Sequence, residues 1–296
     1  MRYSGILILC TMLAFPAVAA TTENDALRAH YGELMQNPAS NPFGMPLSVQ
    51  SSEQDNKVSA EIYAVLEQPF AVVAETLSDV HRWCGFLLLS VNVKSCSVGK
   101  DASGTLLTLY LGPKDYQTPK QAYEMRYQFR NTGDAQRSET FLDADAGPLG
   151  TRDNHIHLEA IGVEDRTLIH FTSGMRLGTM SRMASSTYLA TLGRSKIGFS
   201  SVPGPGGKRV PVKGVKAMIE RNAVRYFLAL QVYLDTRALP DTERFEQQIL
   251  RWFQLSERFH AQLYELPQAD YLTNKRRERD NQIELQRRVD NGKPRF

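Results

Sequence analysis

His155, His157 and Glu159 form the one catalytic-looking group in the chain. In an extended strand alternate side chains share a face, so the three project together at steps of about 7 Å. A His-x-His pair with a carboxylate is a ligand set for zinc or iron, or an acid–base group. The interleaved Ile156, Leu158 and Ala160 are what a core requires, so this strand is expected to turn the His–Glu face to solvent and to hold no metal. Further chemistry is sparse. The chain has no Gly-x-Ser-x-Gly elbow, His-Glu-x-x-His pair, Cys-x-x-Cys or Walker loop. Gly204-Pro205-Gly206-Gly207-Lys208 lacks the spacing, and the Ser or Thr after Lys, of a phosphate loop. It reads as a mobile segment placed to gate a cavity beside the last long helix. No catalytic residue and no cofactor are expected.

Charged and polar side chains also fall on that helix, Val215 to Thr236. Glu220 and Arg221 are adjacent and cannot face each other, and either one, if buried, requires a partner. Asn222 lies three positions after Ile219 and four before Tyr226, on the apolar stripe. There it ties the helix to a sheet or anchors the polar head of a ligand.

The first twenty residues carry Arg2, an apolar run from Ile6 to Phe15, Pro16 and the small residues Ala17-Val18-Ala19-Ala20. Those are the parts of a secretory signal peptide, cleaved near Ala19/Ala20, and they predict a periplasmic or secreted protein. No later apolar run is long enough to span a bilayer. Two cysteines remain, Cys84 and Cys96. An oxidising compartment favours a disulfide, which would close a 13-residue loop and contribute up to roughly 3 kcal/mol.

The 296 residues are 42% hydrophobic and 23% charged, a globular composition that excludes disorder and coiled coil as the main architecture. A formal charge of +3 is too mild to argue for nucleic acid. From Lys275 to Phe296 there are eight basic and four acidic residues, so the basic character is assigned to the tail. Such a tail is solvated, or it touches anionic lipid headgroups or a protein.

The elements that must position these residues follow from periodicity. Asn24–Gln36 predicts a short helix, residues 37–46 a linker, and Leu47–Glu53 with Val58–Glu67 a hairpin. Phe70, Val73, Leu77, Val80 and Trp83 predict one helix from Pro69 to about Gly85, and Leu87–Val98 a strand. Further strands are Thr105–Leu111, Ala122–Arg130, Ser138–Asp145, His155–Val163 and Thr167–Leu177. Short and long helices are expected at Ser181–Leu192, Val215–Thr236 and Asp241–Leu263, with a loop from Ser200 to Gly214.

Strand, helix, six antiparallel strands and a long closing helix make an α+β order. It resembles the START-like, or SRPBCC, helix-grip superfamily over about Leu47–Thr236. Trp83-Cys84, Ala146-Gly147-Pro148-Leu149-Gly150-Thr151, and Glu220-Arg221-Asn222 with Arg225-Tyr226 carry the likeness. The resemblance implies a curved sheet wrapped around the closing helix with a cavity between them. The domain is set at 47–237, followed by a helical extension over 238–296. Cavity candidates are Tyr123, Met125, Tyr127, Phe129, Ile169 and Phe171 from the strands and Asn222, Tyr226 and Leu230 from the helix. The expected partner is a lipid or other hydrophobic small molecule. A cyclase- or hydrolase-type enzyme, or an interaction protein with a filled core, are the alternatives.

Overall fold

The computed structural model describes residues 18–36, 43–179, 182–183 and 196–296. The apolar run of the leader, most of the linker at 37–46 and most of the helix expected at Ser181–Leu192 lie outside the described residues. Helix α1 (Val18–Gln36) is followed by the hairpin β1 (Leu47–Gln54) and β2 (Lys57–Leu66). Its turn places Asp55 and Asn56 at positive φ, a conformation Asp and Asn tolerate best after glycine.

Six strands continue the sheet: β3 (Val93–Asp101), β4 (Gly104–Leu111), β5 (Tyr123–Gly133), β6 (Arg137–Ala146), β7 (Arg152–Val163) and β8 (Arg166–Arg176). The spatial order is β1-β2-β8-β7-β6-β5-β4-β3, antiparallel throughout. Alternation sorts the faces. Ala60, Ile62 and Ala64 of β2, Ile169 and Phe171 of β8, Ile156 and Leu158 of β7 and Met125 and Tyr127 of β5 all enter one core.

Between β2 and β3 the structure has two helices where periodicity predicts one: α2 (Phe70–Ser78) and α3 (Val80–Leu87). Asp79 makes the break. Its backbone is extended, and its carboxylate accepts the His81 N–H at 2.9 Å as an N-cap. The stripe continues across the break, so periodicity alone reads through it. Leu87 then ends α3, and the strand expected from Leu87 begins only at Val93. Cys84 on α3 and Cys96 on β3 are joined in a disulfide, with Cα atoms 5.2 Å apart.

The expected loop at Ser200–Gly214 contains a small hairpin, β9 (Ser201–Pro203) with β10 (Arg209–Pro211). The closing helix α4 (Gly214–Asp235) packs on β1, β2 and β8 and on α3. This is the α+β helix-grip architecture: an antiparallel sheet holding a long helix. The helix expected over Asp241–Leu263 is broken at Arg258–Phe259 into α5 (Asp241–Glu257) and α6 (His260–Leu263).

The basic segment belongs to α7 (Gln268–Asp290), which runs along edge strand β3. It is not a solvated tail. Gln286 donates to the Val98 carbonyl at 3.0 Å and accepts the Val98 N–H at 2.8 Å, pairing an open edge. Lys94, Lys275 and Glu278 are completely buried beneath it. Glu278 bridges Lys275 at 2.7 Å and Lys94 at 3.1 Å, and both ammonium groups also donate to carbonyls of residues 90–93. A lone buried charge is costly, so the extra cation is held by these carbonyls.

Burial depresses Lys275 to about 8, against the opposing pull of Glu278. An unfolded lysine keeps its proton to about pH 10.4, so between these values the unfolded chain binds more protons and stability rises with pH. Urea unfolding is expected to show that rise from about pH 8 to 9.5. Lys275→Met leaves the Lys94–Glu278 pair and is expected to flatten it; an unchanged slope would refute this assignment.

Candidate functional site

Strand β5 sends Tyr123, Met125, Tyr127 and Phe129 to the helix side of the sheet, as the alternation requires. Met125 and Tyr127 are buried, and Phe129 is half-buried against Trp83. Tyr123 is not enclosed. It is 40% exposed, because as the first residue of the strand it stands at the rim. Ile169, Phe171 and Leu230 are buried in the same core.

On α4, residues 219–221, 223–225 and 227–230 are buried, yet Met218, Asn222 and Tyr226 keep partial access to water. They are four apart and form one stripe along the helix. Tyr226 lies near the Asn92 side chain and near Tyr127. Burial, helped at Tyr127 by Tyr226, pushes both phenols above the ordinary tyrosine value. They are therefore hydrogen-bond donors at neutral pH rather than bases. Asn222 accepts from Arg225 Nη1 at 3.2 Å.

Two buried ionic groups hold this helix in place. Glu220 accepts from Ser51 Oγ at 2.6 Å, from the Phe199 and Ser200 N–H groups at 2.6 and 3.0 Å, and from Ser200 Oγ. Gly198 is required beside it, since a Cβ there would lie 2.4 Å from Glu220 Oε2 and 2.4 Å from Val212 Cγ2. Arg225 bonds Glu265 at 2.6 Å, and Lys196 lies 3.8 Å from the same carboxylate. Burial lowers Lys196, and the nearby Arg225, Arg221 and Lys114 lower it further, against Glu265. Glu220 and Arg225 were visible as charges on an apolar helix; their partners, far away in sequence, were not.

Two of the pockets formed by described residues bear on the site. One of about 190 Å³ lies between α4 and the end of β2, lined by Leu66, Gln68, Phe227, Gln231 and Asp235 among others. The other, about 640 Å³, is an open groove at the rim, lined by Tyr123, Asp145, Gly147, Leu149, Thr151 and Arg152 among others. It sits where β5 begins and β6 ends.

His155, His157 and Glu159 do share the outer face, but Glu159 is buried there rather than solvated. Arg137 reaches it at 2.6 Å, and His170 lies between Glu159 at 3.5 Å and Glu61 at 2.7 Å. His157 stacks on Phe141 and bonds Glu139 at 3.2 Å, while the His155 ring fills the space over Gly174. Tyr63 is sandwiched between His30 of α1 and His170. The cross-strand partners Glu139, His170 and Glu61 cover the group, which is a pairing the local spacing cannot show. Among the described residues no three His, Cys, Asp or Glu side chains converge as a metal site.

No family model matches the chain, and no curated protein matches it. Solved structures do. A conserved protein of unknown function from Enterococcus faecalis is 8% identical, with 76% of this chain and 95% of that one covered, at a TM-score of 0.36. A norcoclaurine synthase point mutant from Thalictrum is 12% identical, with 49% and 90% covered, at 0.34. Ara h 8.0201 is 8% identical, with 48% and 92% covered, at 0.30. Likeness at this level says nothing of ligand or activity.

The outer network is expected to titrate. Burial alone would lower His170, but hydrogen bonds to Glu159 and Glu61 outweigh it and raise the imidazole. A raised histidine contributes stability that is complete below its unfolded value of about 6.5 and is lost as pH rises through the folded one. Unfolding free energies from acid pH up to the range in which Lys275 titrates should show this fall in the native chain and a smaller one in His170→Gln. Identical pH profiles for the two chains would remove the network's role.

Proposed function

We propose that this chain is an exported START-like carrier that holds a lipid or other hydrophobic small molecule between its sheet and α4. The observation that carries the reading is the Met218–Asn222–Tyr226 stripe. Between Ala217 and Leu230 these three are the only residues not fully buried, and Tyr127 lies near enough to Tyr226 to feel it. A fully packed interface would leave no such line. Apolar contact with Met125, Phe129, Ile169, Phe171 and Leu230 would supply affinity, at about 25 cal/mol per Å² buried. Asn222 and the two phenols would orient a polar end. Tyr123 and the 640 Å³ groove form the entrance in this reading. Export fits the Cys84–Cys96 disulfide, since such bonds persist in oxidising compartments.

Native mass spectrometry of chain purified without detergent is expected to show a bound lipid or comparable apolar molecule. Tyr127→Phe keeps the ring and removes one donor; it should weaken uptake of a fluorescent long-chain fatty acid about tenfold, near the value of one hydrogen bond. Asn222→Trp, which fills the stripe, should weaken it at least as much. A purely unliganded mass together with no uptake of the probe would overturn the reading.

A further inference from the structure

Six large apolar side chains are exposed among the described residues, and four of them, Tyr123, Leu149, Met183 and Val210, sit at one end of the sheet. The pairing register fixes that end. Tyr123 opposes Leu111, Ala146 opposes Arg152, and Arg176 opposes both Arg152 and Lys57, so these strand ends lie side by side. Leu149 is 56% exposed on the turn between β6 and β7, at a φ of 58°. Met183 is 66% exposed on the segment that leaves β8, and Val210 is 38% exposed on the β9–β10 hairpin. The Gly198–Val212 and Val212–Ser200 backbone bonds close the base of the hairpin, and Glu220 of α4 holds that base by accepting the Phe199 and Ser200 N–H groups.

Charge at this end has one dominant sign. The hairpin and the start of α4, from Gly198 through Ile219, carry four Lys and Arg residues and no Asp or Glu. Arg152, Arg176, Arg182, Lys208, Arg209 and Lys213 are exposed around the apolar tips. Asp55, Asp115, Asp145 and Asp153 are the acids of the neighbouring turns, and Asp153 is paired with Arg176 at 2.8 Å. The cations of the C-terminal segment are placed differently. Lys275 is buried, Arg276 and Arg295 bind Glu246 and Glu124, and Arg277 and Arg279 lie over Tyr116 and Phe245.

We infer that this rim, and not the basic C-terminal segment, docks the protein on a bilayer surface that carries anionic lipid. Single apolar tips on separate turns, ringed by Lys and Arg, can enter the headgroup region while the cations meet lipid phosphates. No described helix is long and apolar enough to cross a membrane. The mouth groove beside Tyr123 and Leu149 would then face the bilayer. The docking stands on exposure and charge, and an interior that takes no cargo would not remove it.

Vesicle flotation tests it with the whole chain and no cargo readout. Vesicles of phosphatidylcholine with phosphatidylglycerol should carry the protein, pure phosphatidylcholine should not, and about 0.5 M salt should release it. Arg209→Glu with Lys213→Glu should lower the partition by at least about tenfold. Leu149→Ser with Val210→Ser should lower it comparably. Arg287→Glu with Arg288→Glu on α7 should leave it unchanged. All six positions are partly or fully exposed, and unchanged thermal midpoints would confirm folding. Failure to bind anionic vesicles overturns the proposal and leaves the rim to an acidic protein. Loss with the α7 pair alone returns the contact to the C-terminal segment.

Discussion

The register of the closing helix depends first on one buried carboxylate. Glu220 is fully removed from solvent, and four donors from two distant segments converge on it. A carboxylate is buried only when its lone pairs are met, so Ser51 of β1 and the backbone of Phe199 and Ser200 must all be in place at once. That requirement couples the sheet edge, α4 and the strap leading to the β9–β10 hairpin. Gly198 allows it, because any side chain there would collide with the carboxylate and with Val212. The register of α4 over β1 and β2, and hence which helix face meets Tyr127, follows from this contact.

The opposite edge is closed by different means. β3 would otherwise offer a row of unpaired backbone groups, a template for aggregation. The Gln286 amide pairs Val98, the Tyr271 hydroxyl donates to the Leu89 carbonyl at 2.8 Å, and the Lys94–Glu278–Lys275 group locks α7 over the residues leading into the strand. The disulfide ties the same strand to α3. One end of the grip is thus sealed as well: Trp83 Nε1 and Thr140 Oγ1 both donate to the Leu77 carbonyl, and Phe70 lies against Gly162. A C-terminal extension used in this way is part of the sheet's closure rather than an appendage.

Legibility in the sequence followed the range of the interaction concerned. The alternation in Tyr123–Arg130 gave its strand and its buried face, because period two is a local property. The β3-to-β8 order came from six short runs in succession, which leave a meander as the simplest pairing; the pairing of β2 with β8 is a long-range contact the runs do not show. The α2–α3 break was hidden, since the apolar stripe runs through Asp79 and only a cap hydrogen bond marks the stop. Glu159 was misread for a related reason: its own strand predicts the outer face, and only His170 and Arg137 on neighbouring strands decide that the face is covered. The eight cations near the C-terminus looked like a solvated tail, because Tyr271, Lys275, Glu278 and Leu285 make a narrow, half-polar stripe with little hydrophobic signal. Asn222 and Tyr226 were read as part of the apolar stripe; they lie with Met218 on a half-buried line of the helix.

The two ends of the grip therefore differ in kind. One is stoppered by α2 and α3 with aromatic and hydroxyl contacts to the sheet. At the other, the strands end in turns where Tyr123, Leu149 and Val210 are exposed, beside cations and an open groove. Such exposure costs solubility and adds nothing to the core, so folding alone does not account for it. The accessible stripe on α4 begins at this same end, at Met218, and leads inward past Asn222 to Tyr226 and Tyr127. Entry from this end would follow that line, with the strap anchored by Glu220 at its side. The anchor keeps the helix rigid there, so opening would have to come from the turns and the hairpin rather than from α4.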